Sequence, residues 1–434
     1  MPSRLRPQPI NCLFIVVAIA AMAFGGIGRA QAEAQLLVEV ESGKVLQADK
    51  ATVPWYPASV TKLTTLYVTL KAVKAGRITL DTLFTVSPNA VAQQPSKMGF
   101  PLGTQVTVDN AIKMLMVKSA NDMAVLLAEG VSGSIEKFAD EMNDTAHQLG
   151  MTQTSYVNPN GLPAEGQITS ARDLAILARA LIHDFPEYDF YWHIPAIKFG
   201  KRVMHNYNPL IEHYPGADGM KTGFICASGF NLVATATRND KRLIAVVLGA
   251  PSSAARTIHA AQLLERGFNG DALTWLTPAA GTVEELKPVE DTTPPNLHDE
   301  ICGKHDKKKK KPRAENEDEA LADPAVQALM LSNLRGSKAK PGSVLAATVA
   351  SMMPPVVVFT GPPKGPTKSP TQLAAPGDTS LQAAIDASKS GDSAATAIAT
   401  GRSTATTYSA STADDSVPLP RPRPKFARVK SAIR

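Results

Sequence analysis

The sequence predicts an α+β fold: an antiparallel sheet flanked by helices, with a helical subdomain, followed by a largely disordered C-terminal tail. Two observations carry this. Strand-like runs open the foldable part of the chain, helical periodicity fills its middle, and strand-like runs followed by one more helix close it. That order places the first and last strands side by side in one sheet. Composition then breaks near residue 275. Of 33 prolines in the 434 residues, 18 lie beyond it, against only three of the 24 aromatic residues, Phe359, Tyr408 and Phe426. A stretch so poor in large apolar side chains buries too little surface to repay its ordering entropy. A single globule of 434 residues is therefore excluded, as is a collagen-like or disulfide-dense chain.

The elements follow in chain order. Residues 1–32 read as an export signal. Arg4 and Arg6 form a basic start, the run from Cys12 to Ile27 is almost wholly apolar, and Ala30-Gln31-Ala32 supplies a cleavage site. The run is short for a membrane span. The expected location is thus the periplasm or cell envelope. Residues 33–275 form the expected folded domain. Leu36–Val40 and Lys44–Leu46 flank a Glu41-Ser42-Gly43 turn and read as a hairpin. Apolar residues at helical spacing predict a helix over Ser59–Ala75 and others over Val108–Val117, Asn121–Glu129 and Ile135–Leu149. A fifth spans Ser170–His183, with Ser170 as its cap. Met220–Cys226, Phe230–Thr237 and Arg242–Leu248 are β-branched and apolar, with Arg238-Asn239-Asp240 as the turn between the last two. A helix over Ala254–Phe268 closes the domain.

Residues 276–434 have a different texture. Lys307–Lys311 is a lysine run, Glu315–Glu319 is acidic, and Ser388–Asp415 is low in complexity. Val344–Thr360 is apolar, but Pro354-Pro355 breaks it, so it is not read as a spanning helix. The net charge of +6 names no polymer partner, because Arg4, Arg6 and Arg29 supply half of it within the export signal. A nucleic-acid partner is not expected. Neither a metal nor another cofactor is expected. Beyond the signal only Cys226 and Cys302 remain. In an oxidising compartment one bridge and two unpaired thiols are both open readings.

Three short motifs carry chemistry. In Ser59-Val60-Thr61-Lys62 the serine and lysine are three apart at the start of a helix, so Ser59 Oγ and Lys62 Nζ share a face. A serine hydroxyl needs a base to become a nucleophile, and a buried lysine near another cation can be that base. Ser119-Ala120-Asn121 offers a hydroxyl for proton relay and an amide that both donates and accepts, between two helices. Lys221-Thr222-Gly223 places a positive charge, a hydroxyl donor and a glycine on a strand, the glycine admitting close approach of a ligand to the backbone. Each pattern alone is common, and a lysine on an edge strand is ordinary protection against aggregation. The order S-x-x-K, S-x-N, K-T-G, each on the element its chemistry requires, is not common.

With these residues the chain resembles the low-molecular-mass penicillin-binding proteins that act as D-alanyl-D-alanine carboxypeptidases. The likeness covers roughly residues 33–270. It extends to Tyr56-Pro57-Ala58, Val157–Leu162, Ser170–Asp173, Asp218–Gly223 and Ser228–Val233. The resemblance implies a β-lactamase/transpeptidase-like serine fold. It implies Ser59 as the acylated nucleophile, Lys62 as its base, Lys221 as a charge keeping Lys62 neutral, and Ser119 as the relay to the leaving D-alanine. Asn121 would hold the substrate amide, Thr222 with Lys221 the terminal carboxylate, and the N–H groups of Ser59 and Phe224 the oxyanion. Peptidoglycan stem peptides are the implied substrates and β-lactams the implied covalent inhibitors.

The likeness has departures. Relatives often carry an arginine just before the K-T-G strand, and Asn206-Tyr207-Asn208-Pro209-Leu210 has none. Carboxylate binding then leans on Thr222 and Lys221, or the two stretches do not correspond. Many relatives also add a β-rich domain and an anchoring amphipathic helix, patterns that residues 276–434 do not clearly show. The basic C terminus is a candidate contact for anionic membrane or wall polymer, and a solvated tail is the favoured alternative. A β-lactamase is disfavoured because Glu165 and Glu187 lack the neighbours of a deacylating glutamate. A D,D-endopeptidase shares every motif and is not separated. A non-catalytic wall-binding protein is the least favoured, since all three motifs are intact.

Overall fold

The structure, a computed structural model, describes residues 33–270, 281–289, 292–303 and 353–362. The expected export signal and most of the expected tail lie outside the described residues.

The chain begins with β1 (Ala34–Glu39) and β2 (Val45–Asp49), the expected hairpin. A 3-10 turn over Ala58–Thr61 runs directly into α1 (Lys62–Lys74). The sequence reading had one helix from Ser59. The first turn is instead 3-10, with Ala58 at a φ of 49°. Next come β3 (Leu83–Thr85), α2 (Pro88–Ala92) and β4 (Gln105–Thr107), too short to show a period in the sequence. The helical part follows as α3 (Val108–Val117), α4 (Asn121–Ser132), α5 (Ile135–Gln148) and α6 (Ala171–Asp184). Ser170 caps α6 as expected, accepting from Asp173 N at 3.2 Å. Such a cap contributes about 1 kcal/mol. A 3-10 stretch over Pro186–Trp192, then β5 (Ala196–Phe199), β6 (Arg202–His205) and α7 (Leu210–His213), leads to the closing strands. These are β7 (Ala217–Ile225), β8 (Gly229–Arg238) and β9 (Lys241–Ala250), followed by α8 (Ser253–Asn269). Asn239 and Asp240 both have positive φ, the requirement of the tight hairpin turn read there.

The main sheet is antiparallel in the order β2-β1-β9-β8-β7, so the terminal strands are neighbours, as expected. Alternation along each strand feeds two cores. Leu232, Ala234, Leu243 and Val247 pack against Ala260, Leu263 and Leu264 of α8. Val38, Val233, Ile244 and Val246 join Leu63, Leu66 and the helical part on the other face. Both faces are covered, which is why these strands read as continuous apolar runs. β7 is left as an edge, and it is the edge that the site uses.

Three short stretches beyond residue 275 return to this unit, which corrects the reading of 276–434 as tail alone and moves the domain limit past 275. Val283 is buried in the larger core. α9 (His298–Cys302) lies beside the end of β7, where Leu297 N donates to Ala227 O at 2.9 Å. Cys226 and Cys302 are bridged, with Cα atoms 5.7 Å apart, which decides between the two readings of the thiols. β10 (Val356–Val358) adds a parallel strand to β5. These pieces use apolar surface that the domain already presents, so composition averaged over the tail conceals them. Among the described residues no helix is long and apolar enough to cross a membrane.

One ion pair joins the two ends of the main fold. His259 Nδ1 of α8 lies 2.7 Å from the carboxylate of Glu33, just before β1. The hydrogen bond to Glu33 raises the imidazole above its ordinary value of 6.5, partial burial opposing it. A raised native value means that the contribution is full below the unfolded value and is lost as the pH rises through the native one. Replacing His259→Gln is therefore expected to cost most stability between about pH 5 and 6 and progressively less as the pH climbs past the histidine range. Urea unfolding of both proteins across that range measures it, and a cost independent of pH would refute the assignment.

Candidate active site

The 3-10 turn carries Ser59 to the inner side of β7. Two anchors hold the chain before it. Trp55 Nε1 donates to Ser228 O at 3.0 Å, and Asn231 Nδ2 donates to the carbonyls of Tyr56 and Pro57 at 2.9 and 3.1 Å. Asn231 stands opposite Gly223 in the β7–β8 ladder, where the β8–β9 register slips, and its Oδ1 takes the N–H of Gly249.

Lys62 opens α1, three residues after Ser59, and is fully buried. Its Nζ lies 2.9 Å from Ser59 Oγ, 2.7 Å from Asn121 Oδ1 and 2.7 Å from Asn160 O. The last two are acceptors that cannot donate. A neutral amine has two protons and one lone pair. With the protons on Asn121 and Asn160, the lone pair is left for the Ser59 hydroxyl.

Ser119 joins α3 to α4 at a φ of 57°, a left-handed conformation that is rare for a side chain larger than glycine. It sets the hydroxyl on the cleft wall, buried and without a hydrogen-bond partner among the described residues. Asn121, at the first position of α4, also donates from Nδ2 to Gln94 O at 2.9 Å. Next to it, Asp122 accepts from the N–H groups of Met98 and Gly99, fixing the loop that brings Ser96 to the cleft. Burial raises the Asp122 carboxyl above the usual range despite these bonds.

On β7, Lys221 and Thr222 are buried, with Lys221 Nζ donating to Thr222 O at 3.1 Å. A buried lysine is not the solvated edge guard that the motif alone allowed. Gly223 is required for a reason other than the one expected. A Cβ there would lie 2.8 Å from Ser59 N and 2.9 Å from Val60 N, so the close approach is made by the nucleophile's own turn. Phe224 lines the cleft beside Ser59 and stacks on Phe230, ring centroids 4.2 Å apart.

Most of the eight residues singled out in the sequence meet around one cleft. Ser59, Ser119, Asn121 and Phe224 line it, Lys62 is bonded to two of these, Gly223 lies under the Ser59 turn, and Lys221 and Thr222 are the buried residues that precede Gly223 on β7. The structure adds Asn160, whose carbonyl is the third partner of Lys62. Its loop is locked: Asn158 Oδ1 accepts from Gly161 N, Gln167 Oε1 from Val157 N, and Thr65 Oγ1 donates to Pro159 O. The Asn-Pro-Asn-Gly string announces a turn, but a backbone carbonyl leaves no mark in a sequence. Tyr207 also lines the cleft. Among the described residues no cluster suited to a metal ion is present.

Known proteins resemble this chain in sequence and fold. A family model described as D-alanyl-D-alanine carboxypeptidase matches residues 21–252. The chain is 38% identical over 293 residues to the D-alanyl-D-alanine carboxypeptidase DacC of Escherichia coli, covering 66% of this chain and 73% of that one. It superimposes on penicillin-binding protein 5 of Haemophilus influenzae with a TM-score of 0.53 and 36% identity, over 54% of this chain and 70% of that one. Penicillin-binding protein D2 of Listeria monocytogenes in its cefotaxime-bound form gives a TM-score of 0.50 at 29% identity, over 54% and 96%.

The nucleophile's seat can be tested with two glycines. Gly161 has a φ of 81°, and a Cβ there would meet Ala58 O at 1.8 Å; Gly150 has a φ of 75° with open space around it. Gly150→Ala is expected to cost about 1 kcal/mol, the conformational penalty alone. Gly161→Ala is expected to cost at least about 2 kcal/mol more and to abolish acylation of Ser59. Urea unfolding and mass spectrometry after β-lactam treatment read the two effects. Equal costs at the two positions would refute the clash.

Proposed function

Since the chain belongs to the D-alanyl-D-alanine carboxypeptidase family of serine peptidases, we propose that its cleft removes the terminal D-alanine from peptidoglycan stem peptides through an acyl-enzyme on Ser59. The observation that carries this is the buried Lys62 amine, 2.9 Å from Ser59 Oγ and 2.7 Å from each of two acceptors, Asn121 Oδ1 and Asn160 O.

Ser59 Oγ attacks the carbonyl carbon of the penultimate D-alanine as its proton passes to Lys62 Nζ. The oxyanion is held by the N–H groups of Ser59 and Phe224, donors that typically matter by about 10²–10³ in rate. The proton then reaches the peptide nitrogen through the Ser119 hydroxyl, whose lack of a partner in the free enzyme suits a group awaiting substrate. The C–N bond breaks and D-alanine leaves. Water, deprotonated by Lys62, attacks the acyl carbon, and Ser59 recovers its proton. Asn121 orients the substrate amide and Lys62 together. Lys221 and Thr222 hold the terminal carboxylate, and Lys221 keeps positive charge on that side of the cleft.

The disulfide supports work in an oxidising compartment, consistent with export through residues 1–32. Contact of the basic C terminus with membrane or wall belongs to the same reading and concerns residues outside those described.

The test is release of D-alanine from a synthetic stem peptide. Ser59→Ala is expected to lower it by about 10³-fold or more, and Lys62→Met likewise, with folding unchanged by circular dichroism. Full activity of Ser59→Ala would refute the reading. Glu165 is exposed, and among the described residues that line the cleft there is no carboxylate to activate water for a bulky acyl group. A penicilloyl adduct on Ser59 is therefore expected to last many minutes at neutral pH. Its disappearance within seconds, followed by mass spectrometry, would favour a β-lactamase instead.

A further inference from the structure

We infer that Lys118 and Tyr207 close the end of the cleft that receives the substrate's C terminus, and that the Lys118 ammonium joins Lys221 and Thr222 in binding the terminal carboxylate there. This rests on the carboxypeptidase reading and adds a physical reason for the enzyme to favour a chain end over a continued chain.

Lys118 ends α3 on the helical wall, one residue before Ser119. Tyr207 belongs to the segment that enters β7, and its ring lines the cleft. Lys118 Nζ donates to the Tyr207 hydroxyl, so one hydrogen bond spans from the helical wall to the approach of the sheet. Both ends are held in place. Lys118 O accepts from Ser96 Oγ at 2.8 Å, and Tyr207 O accepts from the buried Arg256 at 3.3 Å. The neighbours of Tyr207 are buried amides: Asn206 Nδ2 donates to Ile194 O and Asn208 Nδ2 to Gly219 O.

Among the described residues Lys118 meets the hydroxyl and ring of Tyr207 but no carboxylate. Lys113, one turn earlier on α3, pairs with Asp109 at 2.6 Å. Lys118 is half-buried, and no carboxylate among the described residues pairs with it. A half-buried cation held by the Tyr207 hydroxyl and ring, with the ring centroid 4.8 Å from Nζ, gains more from an incoming carboxylate than a solvated one does. Position adds to this. In the leaving D-alanine, amine and carboxylate share one carbon. Any cation that reads the carboxylate must therefore stand within a few ångström of the group that protonates the amine. Lys118 is the chain neighbour of Ser119, which has that role. A substrate that continues past this point meets the Lys118–Tyr207 bridge and brings no negative charge to it.

The experiment compares kcat/KM for an N-acylated D-Ala-D-Ala peptide as the free acid and as its C-terminal carboxamide. The wild type is expected to prefer the acid. Lys118→Met is expected to lower the value for the acid about tenfold, chiefly through KM, and to leave the amide within about twofold. Lys118→Gln is expected to do the same, Lys118→Arg to keep the preference, and Tyr207→Phe to weaken it. An unchanged acid-to-amide ratio in both neutral variants overturns the proposal, and so does an equal loss on both substrates. A wild type that cleaves neither peptide removes the carboxypeptidase reading and this inference together. A wild type with an acid preference that Lys118→Met retains removes this inference alone.

Discussion

The structure turns on the surroundings of one buried amine. Lys62 Nζ is taken out of water and must find its partners inside the protein, at a cost of several kcal/mol if they are missing. It finds them in three separate pieces of chain: the turn that carries Ser59, the start of α4 at Asn121, and the loop that offers Asn160 O. Each piece is tied further out. Asn121 holds Gln94 O, and Asn160 Nδ2 holds Gln93 Oε1, so the loop over the cleft is recruited to the same network. Alignment of nucleophile, base and substrate-binding amide is thus also a condition of burying the lysine.

The second constraint is the approach of that turn to the sheet edge. β7 is the edge strand, and at Gly223 the backbone before Ser59 comes within what would be Cβ contact. Gly161 admits Ala58 O from the other side. Between them the chain adopts conformations that side chains disfavour, at Ala58 and again at Ser119. Strain of this kind persists where the surroundings over-determine it. Here the amide of Asn231, the Trp55 indole and the locked loop at 157–162 do so.

Much of this was legible. Ser59 with Lys62, Ser119 with Asn121, and Lys221 through Phe224 were named as a set because each motif fell on an element suited to it. Strands buried on both faces announced themselves as apolar runs at 230–237 and 242–248. Other parts were hidden for identifiable reasons. β3, β5 and β6 are three or four residues long and carry no readable period. Asn160 acts through a carbonyl that every residue possesses. Asn231 looked like one residue in a familiar string, and only the register slip beside it shows why an amide is needed. Val356–Val358 and Cys302 sit in surroundings whose composition argues against order, yet they dock on a domain that is already folded.

The sequence by itself determined the chemistry and the secondary structure that bears it, because a serine–lysine pair three apart on a helix and apolar periodicity are local properties. It did not determine what faces what. Whether Cys226 meets Cys302, why position 223 must be glycine, which carbonyl completes the partners of Lys62, and that Lys118 reaches Tyr207 were decided by tertiary structure alone. Those contacts join residues 76, 164, 98 and 89 positions apart. Distances across a fold depend on how its layers pack, and no spacing along the chain encodes them.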